Sequence, residues 1–171
     1  MYENHRKTNR KYLYEFLISP SIDNWPKFSP PLNLGVLASG NGTNFEALVK
    51  STIRNELDAK ISILVVNNPN CGAISRANQL GIEYKIINHR DYCCREELDS
   101  KIVNIFHNYS IEAVIMAGWM RIVTPIMINT FHNRIINIHP SLLPSFRGIN
   151  AVDQAINSGI KITGCSAHIV Q

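Results

Sequence analysis

Residues 32–50 read LNLGVLASGNGTNFEALVK, an apolar strand-like run (32–38) that passes through a glycine-rich turn into a helix-like segment (44–50). Such a turn leaves backbone N–H groups without partners at the start of a helix, where the helix dipole also concentrates positive charge. The turn therefore suits an anion, and phosphate above all. It lacks the lysine after the second glycine that a nucleoside-triphosphatase loop requires, and it lacks the third glycine of a dinucleotide-binding fingerprint. A single phosphate monoester fits better. Gly42 is expected to need either glycine's backbone freedom or the close approach of a ligand.

The same alternation continues outward from this unit. Further strand-like runs occupy 61–67, 84–88, 113–118, 134–139 and 162–170. Helix-like segments cover 71–80 (ending at Gly81), 95–107, 125–131 and 150–157 (ending at Gly159). Alternating strand and helix predict an α/β fold, a doubly wound and mostly parallel sheet with helices on both faces, Rossmann-like in kind. Ligands of such sheets bind at the carboxyl ends of the strands. Three motifs, at 39–44, 116–123 and 137–148, fall at such ends. Residues 1–31 are different: a basic cluster (Arg6, Lys7, Arg10, Lys11) precedes Pro20, Pro26, Pro30 and Pro31, without sustained periodicity. They are expected to form a poorly ordered extension outside a domain at 32–171.

Composition narrows the function class. The chain has 171 residues, 45% of them apolar and 18% charged, with a formal charge of +4. The excess charge is small and scattered beyond residue 11, so no nucleic-acid stripe is present and an anionic small molecule is the expected partner. Cys71, Cys93, Cys94 and Cys165 show neither Cys-x-x-Cys spacing nor the density of a disulfide scaffold. Free thiols, a reducing cytoplasmic setting and no metal site are expected. No apolar run approaches the roughly 20 residues that span a bilayer, and YLYEFLI at 12–18 is interrupted by Glu15, so neither a membrane partner nor a signal peptide is expected.

The stretch NIHPSLLPSFRG (137–148) carries the reactive groups. Asn137 and His139 lie two apart, so on a strand they face the same side and can aim at one reacting atom. Pro140 ends the ladder, while Pro144 and Gly148 shape an unusual exit loop. An amide donor beside an imidazole suits the addition of a nucleophile to a carbonyl, where negative charge develops on oxygen. A lone Asn-x-His at a strand end is more often structural than catalytic, so its company decides.

That company is SGNGTN after the first strand, MAGWMRIV at 116–123 and NIHPSLLPSFRG at 137–148. In this order and spacing they resemble the folate-dependent formyltransferases from about Leu34 to Gln171. The His-Pro-Ser-Leu-Leu-Pro loop is similar to the whole superfamily. The Gly-Asn-Gly-Thr-Asn turn is similar to one branch, the phosphoribosylglycinamide formyltransferases. The resemblance implies transfer of a formyl group from 10-formyltetrahydrofolate, the co-substrate, to the amine of phosphoribosylglycinamide in purine synthesis, without a metal. It implies that Gly42, Thr43 and Asn44 bind the substrate phosphate. Met120, Arg121, Ile122 and Val123 would line the pterin pocket, although Met120 and Ile122 also read as plain core. Arg95 would contact the folate donor, and Asn137 would do so as well. Asn137 and His139 match the catalytic pair, and His168 matches a supporting histidine.

The resemblance stops at one residue. The family's third catalytic group is an aspartate in an Asp-x-Gly-Pro type loop soon after the strand of His168. The chain ends at Gln171, and Asp153, the nearest acid upstream, has no matching motif. The expectation is a C-terminally truncated fragment with little activity alone. Rival readings are a formyltetrahydrofolate deformylase, a methionyl-tRNA formyltransferase, or a non-catalytic phosphate-binding module of the same fold.

Overall fold

The computed structural model describes residues 28–171, so most of the expected extension at 1–31 lies outside the described residues. Six strands form one sheet: β1 (Leu32–Ala38), β2 (Ala59–Val66), β3 (Tyr84–Ile86), β4 (Ala113–Met116), β5 (Ile135–His139) and β6 (Ser166–Ile169). Their order is β3-β2-β1-β4-β5-β6. Every pairing is parallel except that of β5 with β6, which is antiparallel. The helices are α1 (Thr43–Ile53), α2 (Gly72–Leu80), α3 (Arg95–Asn108), α4 (Pro125–Thr130) and α5 (Ala151–Asn157). The expected α/β fold with a mostly parallel sheet is present.

Period-two alternation on β1 explains the two-sided packing. Leu34, Val36 and Ala38 face Phe45 and Val49 of α1 and Ala73 and Ala77 of α2. Leu37 faces the other way, into a cluster with Leu98, Ile102, Val103 and Phe106 of α3 and Met127 of α4. Gly35, on that second face, has no room for a side chain: a Cβ there would stand 2.7 Å from Phe106 Cε1. The ring of Phe106 thus lies directly on the backbone of β1. It packs against Phe131 in a T-shaped pair, with centroids 5.9 Å apart and planes at 80°, an arrangement favoured by the ring quadrupoles.

Element ends follow local chemistry. Gly81 closes α2 in the left-handed region at φ 67°, where a side chain would be strained. Pro125 opens α4 at a position that needs no N–H. Asn33 Nδ2 donates to the carbonyls of Tyr109 (2.8 Å) and Ser110 (3.0 Å), satisfying acceptors just past the end of α3. The β1–β2 ladder is irregular, and the expected strand runs at 84–88 and 113–118 narrow to Tyr84–Ile86 and Ala113–Met116. A register irregularity between Leu34 and Gly35 against β2 sends Ile61 and Leu64 to one face and Ile63 to the other. The last strand shortens from 162–170 to Ser166–Ile169, because the preceding residues pack on the 141–144 loop: a Cβ at Gly164 would stand 2.9 Å from Leu142 Cδ2.

Candidate active site

Reversal of strand order at β1 and β4 creates the crevice in which ligands of open α/β sheets bind. The loops leaving these two strands are joined there. Ser39 N donates to Gly118 O (3.0 Å), and Met120 N donates to Ser39 Oγ (2.9 Å). On β5, Asn137 stands in register with Met116, the last residue of β4, so the three sequence motifs converge on one sheet edge.

At the β1 turn, Gly42 is the N-cap of α1, with φ 73°. An added Cβ would meet Ala73 Cα at 2.6 Å and Ala73 Cβ at 2.7 Å. Gly42 therefore needs glycine's backbone freedom, and what approaches it is helix α2 rather than open space for a ligand. Substituting Gly42 would test the fold before it tested binding. Gly40, whose Cβ would meet nothing within 4 Å, is the cleaner probe. Thr43 and Asn44 are exposed in the first turn of α1. Among the described residues their side chains and amides find no hydrogen-bond partner, which leaves donors at the positive end of the helix dipole. Arg76 of α2 clamps the turn from beside it: Nε donates to Asn41 O (2.7 Å), and the guanidinium pairs with Glu46.

In the 118–124 loop, Trp119 and Val123 are buried, whereas Met120 is 75% and Ile122 74% exposed. The core reading of Met120 and Ile122 is thereby overturned; both side chains stand open at the crevice. Among the described residues the amides of Arg121, Ile122 and Val123 donate to no protein group. Arg121 Nε is buried without a partner. Apolar walls with unspent backbone donors fit a flat heteroaromatic ring such as a pterin. The loop is anchored by Asp99 of α3, whose Oδ2 accepts from Thr124 N at 2.6 Å. Burial raises the Asp99 carboxyl above its usual range, opposed by the hydrogen bond from Thr124. Arg95, the exposed first residue of α3, precedes Asp99 by one turn and shares its helix face.

Asn137, His139 and His168 come together at the β5–β6 ladder, where Asn137 pairs with His168 and His139 with Ser166. Asn137 Nδ2 lies 3.2 Å from His168 Nε2, and His168 Nδ1 lies 3.1 Å from Ile169 O. An amide nitrogen only donates and a carbonyl only accepts, so His168 holds its hydrogen on Nδ1 and accepts at Nε2. This fixes the Asn137 amide with one N–H still free. His139 Nε2 lies 2.9 Å from Phe146 O and by the same logic carries a hydrogen. The exit loop is braced internally: Ser141 Oγ donates to Ser145 O (2.6 Å), and Ser166 Oγ donates to Ser141 O (2.8 Å). A cleft of about 480 Å³ results, lined by His139, Leu143, Pro144, Arg147, Gly148 and His168.

Sequence reasoning missed Ser39, Arg76, Asp99 and Arg147. Only Asp99 carried a signal: it is an acid on the apolar face of α3, beside Leu98 and Ile102, and a carboxylate buried there must find donors.

The chain is similar to known proteins along most of its described length. The family model described as formyl transferase matches residues 32–171. The trifunctional purine biosynthetic protein adenosine-3 of Homo sapiens is 40% identical over 137 residues, covering 80% of this chain and 14% of that protein. The phosphoribosylglycinamide formyltransferase of Bacillus subtilis is 36% identical over 135 residues, covering 79% of this chain and 69% of that protein. The crystal structure of glycinamide ribonucleotide transformylase 1 from Symbiobacterium toebii superposes with a TM-score of 0.82 at 32% identity, covering 87% of this chain and 70% of that one. The chain spans between 10% and 14% of the length of the trifunctional relatives it matches. With four-fifths of its length matched and the strand order of the sheet in place, the chain belongs to the formyl transferase family.

Proposed function

We propose that this chain carries the formyl-transfer site of a phosphoribosylglycinamide formyltransferase, acting on the two small molecules 10-formyltetrahydrofolate and phosphoribosylglycinamide. Residues 32–171 belong to its formyltransferase domain, and 1–31 to an extension outside it. The observation that carries the reading is the Asn137 amide, held by His168 with a free N–H, beside His139 at a cleft on the sheet edge that also presents the Thr43–Asn44 turn. The turn takes the substrate phosphate on the amides and side chains of Thr43 and Asn44. Met120, Ile122 and the free amides of 121–123 hold the pterin, and Arg95 offers a cation to the anionic tail of the folate. A formyl group bound there supplies the electrophilic carbon, which the primary amine of the substrate attacks. Asn137 donates its free N–H to the carbonyl oxygen as charge develops on it. His139, with Nε2–H directed at Phe146 O, accepts at Nδ1 the proton released by the attacking amine and passes it to the departing nitrogen. A C–N bond to the substrate forms as the C–N bond to the folate breaks. No metal enters this scheme, and the four free cysteines suit a reducing cytoplasm.

Isothermal titration separates this reading from its rivals. The chain should release heat with a non-reactive folate analogue and, separately, with phosphoribosylglycinamide. Heat with the ribonucleotide alone would make it a phosphate-binding module, and heat with the folate alone would favour a deformylase.

A further inference from the structure

Immediately before α3 the chain presents Cys93 and Cys94, both exposed, and one turn into the helix lies Glu97, also exposed. Neighbouring side chains on an extended backbone point to opposite sides. Here they converge: Cys94, at φ −148° and ψ 168°, is the last extended residue before the helix, and the two Sγ atoms are 3.7 Å apart. A tetrahedral metal with M–S bonds of about 2.3 Å holds two sulfurs about 3.8 Å apart. Glu97 closes the third side. One of its oxygens accepts from Cys93 N at 3.0 Å, which fixes the carboxylate, and the three ligating atoms all lie within 4.8 Å of one another.

We propose that Cys93, Cys94 and Glu97 form a binding site for a thiophilic divalent cation of the Zn²⁺ or Cd²⁺ type, beside Arg95 but built from none of the residues assigned to formyl transfer. Two sulfurs and one carboxylate exclude Mg²⁺ and Ca²⁺, which take oxygen ligands. Three protein ligands on an exposed turn leave the fourth position to water, as in open zinc sites. On binding, each thiol gives up its proton to the buffer, and no electron is transferred.

The test is a titration of the full chain with Cd²⁺ under a phosphine reductant, followed by the ultraviolet thiolate-to-cadmium absorption. The band should saturate at one equivalent and disappear when Zn²⁺ is added in excess. Cys93→Ser and Cys94→Ser should each weaken binding by about 10²-fold or more, and Glu97→Gln by about 10-fold, while Cys165→Ser should change nothing. The three side chains are exposed, so these variants keep the fold. A saturable band that persists in the Cys93→Ser/Cys94→Ser double variant, or that is lost in Cys165→Ser, would overturn the proposal. So would an affinity in the wild type no better than in the double variant, the signature of an adventitious ion only.

Discussion

Asn137 shows how one side chain acquires direction. Exposed to water, its amide would rotate freely. At the β5–β6 ladder one N–H is committed to His168 Nε2 at 3.2 Å, so the other points where the strand geometry sends it. A donor fixed before the reaction needs no reorganisation when charge develops, which is why its effect falls on the rate rather than on binding. In a chain extended by its natural continuation, under single-turnover conditions, Asn137→Ala and His139→Ala should each lower the formyl-transfer rate by about 10² to 10³ while leaving both binding constants within a few-fold. The double variant should lose markedly less than the product of the two, because both groups act on one developing charge. Losses confined to binding, or fully multiplicative losses in rate, would leave the pair as positioning groups only.

At the scale of elements, α3 is tied to the 118–124 loop through the buried Asp99 carboxylate and Thr124 N–H. A hydrogen bond to a charged group contributes about 1.5–3 kcal/mol, so Asp99→Ala should destabilise the fold by about 2 kcal/mol. The pH dependence has a definite sign. Burial raises the Asp99 carboxyl above its unfolded value, so the folded chain keeps this proton at a pH where the unfolded chain has released it. Stability from this group therefore rises as pH falls through the raised value and is lost as pH climbs past it. Asparagine does not titrate. The stability of the wild type relative to Asp99→Asn should thus increase between about pH 7 and about pH 4, measured by urea unfolding at each pH. A difference that shrinks on acidification would mean that the carboxylate is stabilised in the charged form.

Across the whole molecule, protection is uneven. β1 lies between β2 and β4 with helices on both faces, and Val36, Leu37 and Ala38 are fully buried. The β5–β6 side is open by comparison, with Ile149 and Ile162 each 79% exposed and Ile169 of the edge strand 48% exposed. Amides of β1 and β4 should exchange with solvent only on global unfolding, and those of β6 by local opening, orders of magnitude faster. Hydrogen-exchange mass spectrometry of the chain checks this, and equal protection of β6 and β1 would contradict it. The strands, the helices and the turn at 39–44 were legible in the sequence, as were His139, Pro144 and Gly148 of the cleft and Asn137 beside them on β5. Their signals are local: period-two and period-3.6 burial, a glycine after a helix, a proline after a strand. What only the tertiary structure decided are partners distant along the chain. Asn137 finds His168 at 31 residues' separation, Thr124 finds Asp99 at 25, and Arg76 finds Glu46 at 30. The antiparallel run of β6 and the packing of Ala73 on Gly42 belong to the same class. No local preference distinguishes such partners, because each pairing is settled when the two faces of the sheet are filled at once and every buried donor must meet an acceptor.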